Sequence, residues 1–218
     1  MTLFDTHAHY YDEKFGSDSE RREVIGKIRL AGVKYVINAG TNPDSSRLSL
    51  ALADEYDGFY AAVGLHPEDI FDISDPEAAF SEIRKLAASE KAVAVGEIGL
   101  DYHWHGEPSE RELQKYWFSR QLELACELGY PVVVHDRDAH GDCLETVMKF
   151  PEARGVFHSF SGSPETAREL IKLGWHISFS GVITFENARR TAQIVTEIPE
   201  DRLLIETDCP YLTPHPYR

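Results

Sequence analysis

The sequence alternates between short apolar segments and longer amphipathic segments along its whole length. Eight segments have the length and composition of β-strands, namely residues 2–6, 34–39, 59–64, 92–97, 131–135, 155–158, 176–179 and 203–206. Seven segments between them repeat apolar residues at helical spacing, namely residues 19–31, 45–56, 76–89, 109–128, 139–150, 164–173 and 187–197. This regular order of strands and helices predicts an α/β fold.

Two of the predicted strands indicate how the sheet is built. Residues 92–95 and 132–134 are apolar on both faces, which is typical of parallel strands that helices cover. Strict alternation with eight strands therefore predicts a (β/α)8 TIM barrel. In such a barrel the catalytic groups lie at the carboxyl ends of the strands and in the loops that follow them.

The last predicted strand is followed by a short segment rich in proline. Residues 209–218 cannot form an eighth helix, so we expect that helix to be absent from this chain. We therefore expect residues 1–218 to form a single domain with one uncovered flank. Either the protein is truncated at its C-terminus, or another chain covers the gap.

The charge of the chain limits what it can bind. A net charge of −15 argues against tight, sequence-independent binding of duplex DNA, which depends on many Lys and Arg contacts to phosphates. A nucleic-acid substrate would have to be held locally, with bound cations supplying positive charge.

The sequence has neither the roughly 20-residue apolar run of a membrane span nor a secretory signal, so we expect a cytoplasmic protein. It indicates no obligate protein partner.

Several of the predicted strands end at, or just before, a histidine or a carboxylate. His7 and His9 are two residues apart, so they project to the same side of a strand and can bind one ion together. Converging strand ends would bring six candidate metal ligands around one volume: His7, His9, Glu97, His135, His158 and Asp208. This set of imidazoles and carboxylates indicates a centre for two divalent metal ions.

The candidate ligands divide into two groups around one carboxylate. We expect Glu97 to bridge the ions, with His7, His9 and Asp208 on one ion and the remaining two histidines on the other. Such ligands suit Zn²⁺, Mn²⁺, Ni²⁺ or Fe²⁺; Mg²⁺ ordinarily takes fewer histidines, and the identity of the metal stays open. The pair of ions would hold a bridging hydroxide as the nucleophile, and Asp208 would accept its proton.

Other polar residues near these positions have supporting roles in this interpretation. Asp5 and Glu206 each precede a candidate ligand by two residues, so we expect them one layer deeper on the same strand faces. There they would accept a hydrogen bond from a ligand histidine, or form a salt bridge or bind water in the core. Asp101 would orient a ligand or cap a turn, and His103 with His105 would lie on the rim or the surface.

A few residues are candidates for substrate contact. His66, in the loop after the third strand, would contact substrate or be an ordinary loop histidine. Arg137, Arg189 and Arg190 are the best local candidates for binding phosphate, because a guanidinium can bind phosphate through two parallel hydrogen bonds. For the last two, a solvated helix surface is the alternative.

Six motifs occur in the same order as in the TatD family of metal-dependent hydrolases, which the chain closely resembles over almost its entire length. They are Asp5-Thr6-His7-Ala8-His9, Gly64-Leu65-His66-Pro67, Gly96-Glu97-Ile98-Gly99-Leu100-Asp101-Tyr102, Val134-His135-Asp136-Arg137-Asp138-Ala139, Phe157-His158-Ser159-Phe160-Ser161-Gly162 and Glu206-Thr207-Asp208-Cys209-Pro210-Tyr211-Leu212. The resemblance implies a TIM-type barrel, divalent metal ions bound by the same six ligands, and hydrolysis of phosphodiester bonds. It further implies a deoxyribonuclease, commonly a 3′-to-5′ exonuclease acting on single-stranded ends of DNA or RNA. Members of the family usually continue into a closing helix where this sequence ends.

Two other classes of function are compatible with a barrel of this kind. The same hydroxide could attack a carbonyl, as in an amidohydrolase or deacylase acting on an amide or ester such as aminoacyl-tRNA. Glu97 stands where such enzymes would carry a lysine at the end of the fourth strand, which favours the phosphodiesterase interpretation. A non-catalytic interaction protein with an inert barrel is the third class, and the complete ligand set argues against it.

Overall fold

The computed structural model describes residues 1–217, and the predicted order of elements is present in it. Its strands are β1 (Leu3–Ala8), β2 (Val33–Ala39), β3 (Phe59–Val63), β4 (Ala92–Asp101), β5 (Val132–Arg137), β6 (Gly155–Phe157), β7 (His176–Phe179) and β8 (Leu203–Ile205). Its α-helices are α1 (Asp18–Leu30), α2 (Pro43–Glu55), α3 (Pro76–Leu86), α4 (Pro108–Leu128), α5 (His140–Met148), α6 (Pro164–Lys172) and α7 (Arg189–Val195). None of the helices within residues 1–217 has the length and apolar character needed to cross a bilayer.

The strands form one parallel sheet that curls into a nearly closed barrel. They lie in sequence order from β1 to β8, and a helix connects each strand to the next. Hydrogen bonds join β1 to the end of β8 and to the loop that follows β8. The hydroxyl of Thr6 donates to the carbonyl of Ile205 at 3.0 Å, and the amide of Asp208 donates to the carbonyl of His7 at 2.9 Å. The predicted TIM-barrel fold is confirmed.

Local signals fix where several helices begin. Ser17 caps α1, and its side chain and that of Glu20 each accept a hydrogen bond from the other residue's backbone amide. Asn42 caps α2 and is followed by Pro43, whose fixed φ suits the first helical position. After β8, residues 206–217 form turns without a helix, so the part of the chain that the structure describes contains seven α-helices.

Apolar side chains fill two separate layers of the barrel. The larger layer lies between the sheet and the helices and contains fully buried side chains such as Phe118, Leu122 and Trp175. The interior of the barrel holds a smaller cluster of short side chains: Ala62, Ala94, Val133 and Val156. These small residues close the bottom of the barrel and leave its carboxyl end open to polar groups.

Strand β4 carries one extra residue, which changes the direction of its side chains. Val95 pairs with Val132 and Ile98 pairs with Val134, so β4 uses three residues where β5 uses two. Val95 and Ile98 both pack against the helices, and the bulge between them reverses the alternation. Glu97 therefore faces the barrel interior, whereas strict alternation would turn it outward. The predicted end of this strand at Glu97 is wrong, because β4 continues to Asp101.

Gly99 in β4 allows β4 and β5 to approach closely. Its φ is +146°, and a Cβ atom there would lie 2.0 Å from the carbonyl oxygen of His135. We expect Gly99→Ala to lower the free energy of unfolding by about 1–3 kcal/mol, because the backbone of β5 would have to move. Urea denaturation measures this loss.

The matched control for this substitution is Gly129→Ala. Gly129 also has a positive φ, +66°, but a Cβ atom there would meet no atom within 4 Å. Gly129→Ala therefore introduces the backbone strain of a positive φ without a steric clash. Equal losses in the two variants would show that the close approach of β4 to β5 contributes nothing.

Candidate active site

The six predicted ligands converge at the carboxyl end of the barrel. Five of them are buried or nearly so, and His135 is partly exposed to a cleft of about 750 Å³. The structure therefore brings together every side chain of the predicted set, whose role as ligands stays a prediction. They come from five strands and the residues that follow them: His7 and His9 from β1 and its end, Glu97 from β4, His135 from β5, His158 from the end of β6 and Asp208 from the loop after β8.

Glu97 lies at the centre of the cluster and contacts histidines with both carboxylate oxygens. Its Oε2 lies 3.3 Å from Nε2 of His7 and 3.7 Å from Nε2 of His9. Its Oε1 lies 2.8 Å from Nδ1 of His135 and 2.7 Å from Nε2 of His158. Each oxygen of this carboxylate thus contacts a different pair of histidines, as the oxygens of a bridging ligand would.

The group on the Oε2 side contains His7, His9 and Asp208. The Nε2 atoms of the two histidines are 3.0 Å apart, and Oδ1 of Asp208 lies 3.5 Å and 3.2 Å from them. Asp208 adopts φ +57°, a conformation that non-glycine residues rarely hold, and such strain is often found at functional sites. These three ligand atoms are close enough together to hold one metal ion.

The group on the Oε1 side contains His135 and His158. Nε2 of His158 lies 3.4 Å from Nδ1 of His135, and the His158 ring stacks on that of His7 at 3.9 Å between centroids. Aromatic nitrogens that face one another at these distances repel unless a proton or a cation lies between them. The imidazole nitrogens and their spacing therefore fit divalent metal ions. The carboxylate oxygens of Glu97 and Asp208 fit them as well.

The outer nitrogens of two candidate ligands are fixed by hydrogen bonds. Nδ1 of His9 donates to the carbonyl of Ala39 at 2.8 Å and lies 3.0 Å from the hydroxyl of Tyr11, so Nε2 is left to face the cluster. Nε2 of His135 donates to Oδ2 of Asp101 at 2.9 Å. Such partners set the tautomer and orientation of a ligand imidazole.

Asp101 has both of the roles that its sequence position allows. Its Oδ2 accepts the bond from His135, and its Oδ1 accepts backbone amides of His103 at 2.9 Å and Trp104 at 3.1 Å. It thus orients a candidate ligand and caps the turn after β4. His103 and His105 lie in that turn, outside the cluster.

Of the two deeper carboxylates, Glu206 lies beside a candidate ligand and Asp5 does not. Oε1 of Glu206 is 3.5 Å from Nδ1 of His158 and also accepts the amide of Ser159 at 2.7 Å. The prediction that Asp5 accepts a hydrogen bond from a ligand imidazole is wrong. Its oxygens instead accept the amide of Thr207 at 2.9 Å and its hydroxyl at 2.6 Å, and so join β1 to the loop after β8.

The electrostatics of the cluster favour an ionised Glu97 and raise the pKa values of His9, His135 and His158, whereas burial and the charge of His158 lower the pKa of His7. Burial opposes ionisation of Glu97, but His158 and His7 outweigh it and hold the pKa of Glu97 well below its usual range. Burial also favours a neutral His135, but its hydrogen bonds to Asp101 and Glu97 raise its pKa to about 9. The raised pKa of His135 therefore comes from the buried carboxylates that face its ring.

The predicted substrate contacts occupy the wall of the cleft. Nε2 of His66 lies 3.4 Å from Oε1 of Glu97, and the backbone amide of His66 donates to the carbonyl of Thr41 at 2.7 Å. Arg137 also lines the cleft. Arg189 and Arg190 are exposed residues at the start of α7, and neither is among the residues that line the cleft.

Sequence reasoning missed two features of this site. Tyr11 donates its hydroxyl to the carbonyl of Ala39 at 3.0 Å, beside the bond from His9. Its spacing of two residues from His9 was the available signal, although β1 ends at Ala8 and Tyr11 lies in the turn that follows. The second feature is Trp104, an exposed aromatic residue in the turn that Asp101 caps.

Comparison with known proteins gives relatives for nearly the whole chain. The family model described as TatD related DNase matches residues 4–218. The uncharacterized metal-dependent hydrolase YabD of Bacillus subtilis is 44% identical over 219 residues, which cover 99% of this chain and 83% of YabD. The protein named 3′-5′ ssDNA/RNA exonuclease TatD of Cronobacter sakazakii is 36% identical, covering 97% of this chain and 80% of that protein.

The fold is also similar to that of a solved structure. The crystal structure of YjjV, a TatD homolog from Escherichia coli K12, superposes with a TM-score of 0.84 at 31% sequence identity. The match covers 96% of this chain and 80% of YjjV. The barrel and the order of its strands are therefore shared with proteins of recognisable sequence similarity.

The pKa of His135 leads to a prediction about metal binding. A histidine with a pKa of about 9 is protonated at pH 7 and must lose its proton before that nitrogen can bind a metal ion. We expect the apparent affinity for Zn²⁺ or Mn²⁺ to rise with pH up to about pH 9, by about tenfold per unit for each proton released. Isothermal titration calorimetry in buffers of different ionisation enthalpy measures both the affinity and the protons.

The control for this prediction is Asp101→Asn. Without that carboxylate, His135 loses a hydrogen bond that stabilises its protonated form. Metal binding should then release fewer protons between pH 7 and pH 9. A wild-type affinity that is constant over this range would contradict the prediction.

Proposed function

Because this chain belongs to the TatD-related DNase family of metal-dependent hydrolases, we propose that it is a deoxyribonuclease that hydrolyses phosphodiester bonds at its cluster of histidines and carboxylates. We further propose that it removes nucleotides from the 3′ ends of single strands. The observation that carries the proposal is the position of Glu97. Its two oxygens face two sets of candidate metal ligands, 3.3 Å from His7 on one side and 2.7 Å from His158 on the other.

The residues of the cluster fit a pair of divalent ions. Glu97 would bridge them, with His7, His9 and Asp208 holding one and the two remaining histidines holding the other. Bound ions of this kind polarise a phosphoryl oxygen and activate water for attack. The donor set of four imidazoles and two carboxylates favours Zn²⁺, Mn²⁺, Ni²⁺ or Fe²⁺ over Mg²⁺.

Asp208 is the proposed proton acceptor. Burial opposes its ionisation, but the hydrogen bond with His9 and the charge of His7 outweigh that effect and lower the pKa of Asp208. It is therefore ionised at neutral pH and, being partly open to the cleft, can accept a proton from the attacking water.

The charges of the cleft suit an anionic substrate that is held locally. The chain carries a net charge of −15, and Arg137 is the one Lys or Arg among the described residues that line the cleft. Its guanidinium would bind a phosphate next to the scissile bond through two hydrogen bonds. His66, buried in the wall at 3.4 Å from Glu97, would contact the phosphate under attack.

The names of relatives support the choice of substrate. The Cronobacter protein named 3′-5′ ssDNA/RNA exonuclease TatD is 36% identical over almost the whole of this chain. Identity at this level, together with the complete cluster, supports the same class of reaction here.

The proposal predicts the effect of removing the central groups. We expect Asp208→Asn to lower kcat by about 10²- to 10⁴-fold, the usual contribution of a general base, and Glu97→Ala to lower activity further because both sets of ligands lose their shared carboxylate. Glu145→Gln on the exposed face of α5 is the control, and it should behave as wild type. Metal content is measured for each variant.

The assay uses single-stranded oligonucleotides labelled at the 5′ or the 3′ end, with Mg²⁺, Mn²⁺ or Zn²⁺ and with or without chelator. A ladder that shortens from the 3′ end, and is lost with chelator, is the expected result. Cleavage that needs no metal, or full activity of both variants, would contradict the mechanism. Turnover of amides or carboxylic esters without any cleavage of oligonucleotides would instead identify a deacylase.

A further inference from the structure

Trp104 is an exposed aromatic side chain on a rigid turn beside the cleft. It is 59% exposed, and it lies in the turn between β4 and α4. Gln114 holds this turn at both ends, because its side-chain amide donates to the carbonyls of Asp101 at 3.0 Å and His105 at 2.8 Å. The ring of His105 stacks on that of Phe71 at 4.0 Å. The indole is therefore presented to solvent by a backbone that is fixed.

The same turn is connected to the centre of the cluster. Asp101 accepts the hydrogen bond of His135 on one oxygen and the backbone amide of Trp104 on the other. In addition, the guanidinium of Arg137 lies 5.6 Å from the centre of the indole ring and lines the cleft. An aromatic ring, a cation and the candidate metal ligands thus follow one another along one side of the site.

Acidic side chains line other parts of the cleft. Asp12, Glu68 and Asp69 are among them, and Arg137 is the one Lys or Arg among the lining residues within the described chain. Tyr211, an exposed aromatic residue that lines the cleft, donates its hydroxyl to Asp12 at 2.5 Å, and Lys14 lies over its ring at 3.8 Å. Trp104 differs because the cation beside its ring, Arg137, itself lines the cleft, so a phosphate on Arg137 and a base on the indole would be neighbours.

We propose that Trp104 is a stacking platform for an unpaired base next to the scissile phosphodiester, and that Arg137 binds the phosphate between this base and the cluster. This inference rests on the proposed function. A base within a duplex has both faces covered by its neighbours, so only a strand end that has left its helix can stack on the indole. The platform would thus select single-stranded ends in a protein whose net charge of −15 cannot provide affinity for duplex DNA.

The first test compares Trp104→Ala and Trp104→Phe with wild type on a single-stranded oligonucleotide in the Mn²⁺-loaded enzyme. Stacking on an aromatic residue contributes about 1–3 kcal/mol per base, so Trp104→Ala should raise KM by about 5- to 150-fold. Trp104→Phe keeps an aromatic face and should recover most of the loss. The matched control is Tyr116→Ala on α4, an exposed aromatic residue that also has an arginine, Arg120, 5.6 Å from its ring.

The second test removes bases from the substrate. A propanediol spacer replaces one nucleoside at each of the first four positions from the 3′ end in turn. At one position the spacer should raise the KM of wild type and leave the KM of Trp104→Ala unchanged. The difference in KM between the two proteins should then disappear. If Trp104 only stabilised the fold, the ratio of the two KM values would be the same at every spacer position.

The possible failures are distinguishable. If wild type cleaves no oligonucleotide with any of the metals, the proposed function fails. If wild type cleaves and Trp104→Ala has the same KM, or if the ratio between them is the same for every spacer position, the stacking platform alone is overturned. A loss in Tyr116→Ala equal to that in Trp104→Ala would overturn it as well.

Discussion

The contact of Glu97 with both halves of the histidine cluster is the interaction on which the site depends. It exists because β4 carries one residue more than its neighbour β5 between Val95 and Ile98. Without that bulge the carboxylate would face the helices, and the four histidines would face one another without a central negative charge. The bulge is therefore the structural feature that turns a common barrel into a candidate metal centre.

The groups outside the cluster explain how it can remain ordered. Asp101 orients His135 and caps the following turn, and the carbonyl of Ala39 fixes the tautomer of His9. Each of these partners is buried, so each hydrogen bond is formed away from competing water and is costly to lose. Asp5 contributes differently, since its bonds to Thr207 hold the loop that carries Asp208 against β1.

Much of this arrangement could be predicted from the sequence because barrels place strand ends together. The alternation of strands and helices predicted the fold, and spacing by two residues placed His7 beside His9. The period of two could not predict that Glu97 faces inward, because a bulge interrupts it. It also gave Asp5 the wrong partner, since which neighbour a buried carboxylate meets depends on strand register. Trp104 carried no periodic signal, because its position is set by tertiary hydrogen bonds to its turn.

If Glu97 joins two metal ions, as we propose, electron paramagnetic resonance of the protein titrated with Mn²⁺ will detect the pair. Two ions that share a carboxylate are close enough for their electron spins to couple. We expect the spectrum of a coupled pair in wild type at two equivalents of Mn²⁺, and its loss in Glu97→Ala. A spectrum of isolated Mn²⁺ ions at every loading of wild type would contradict it.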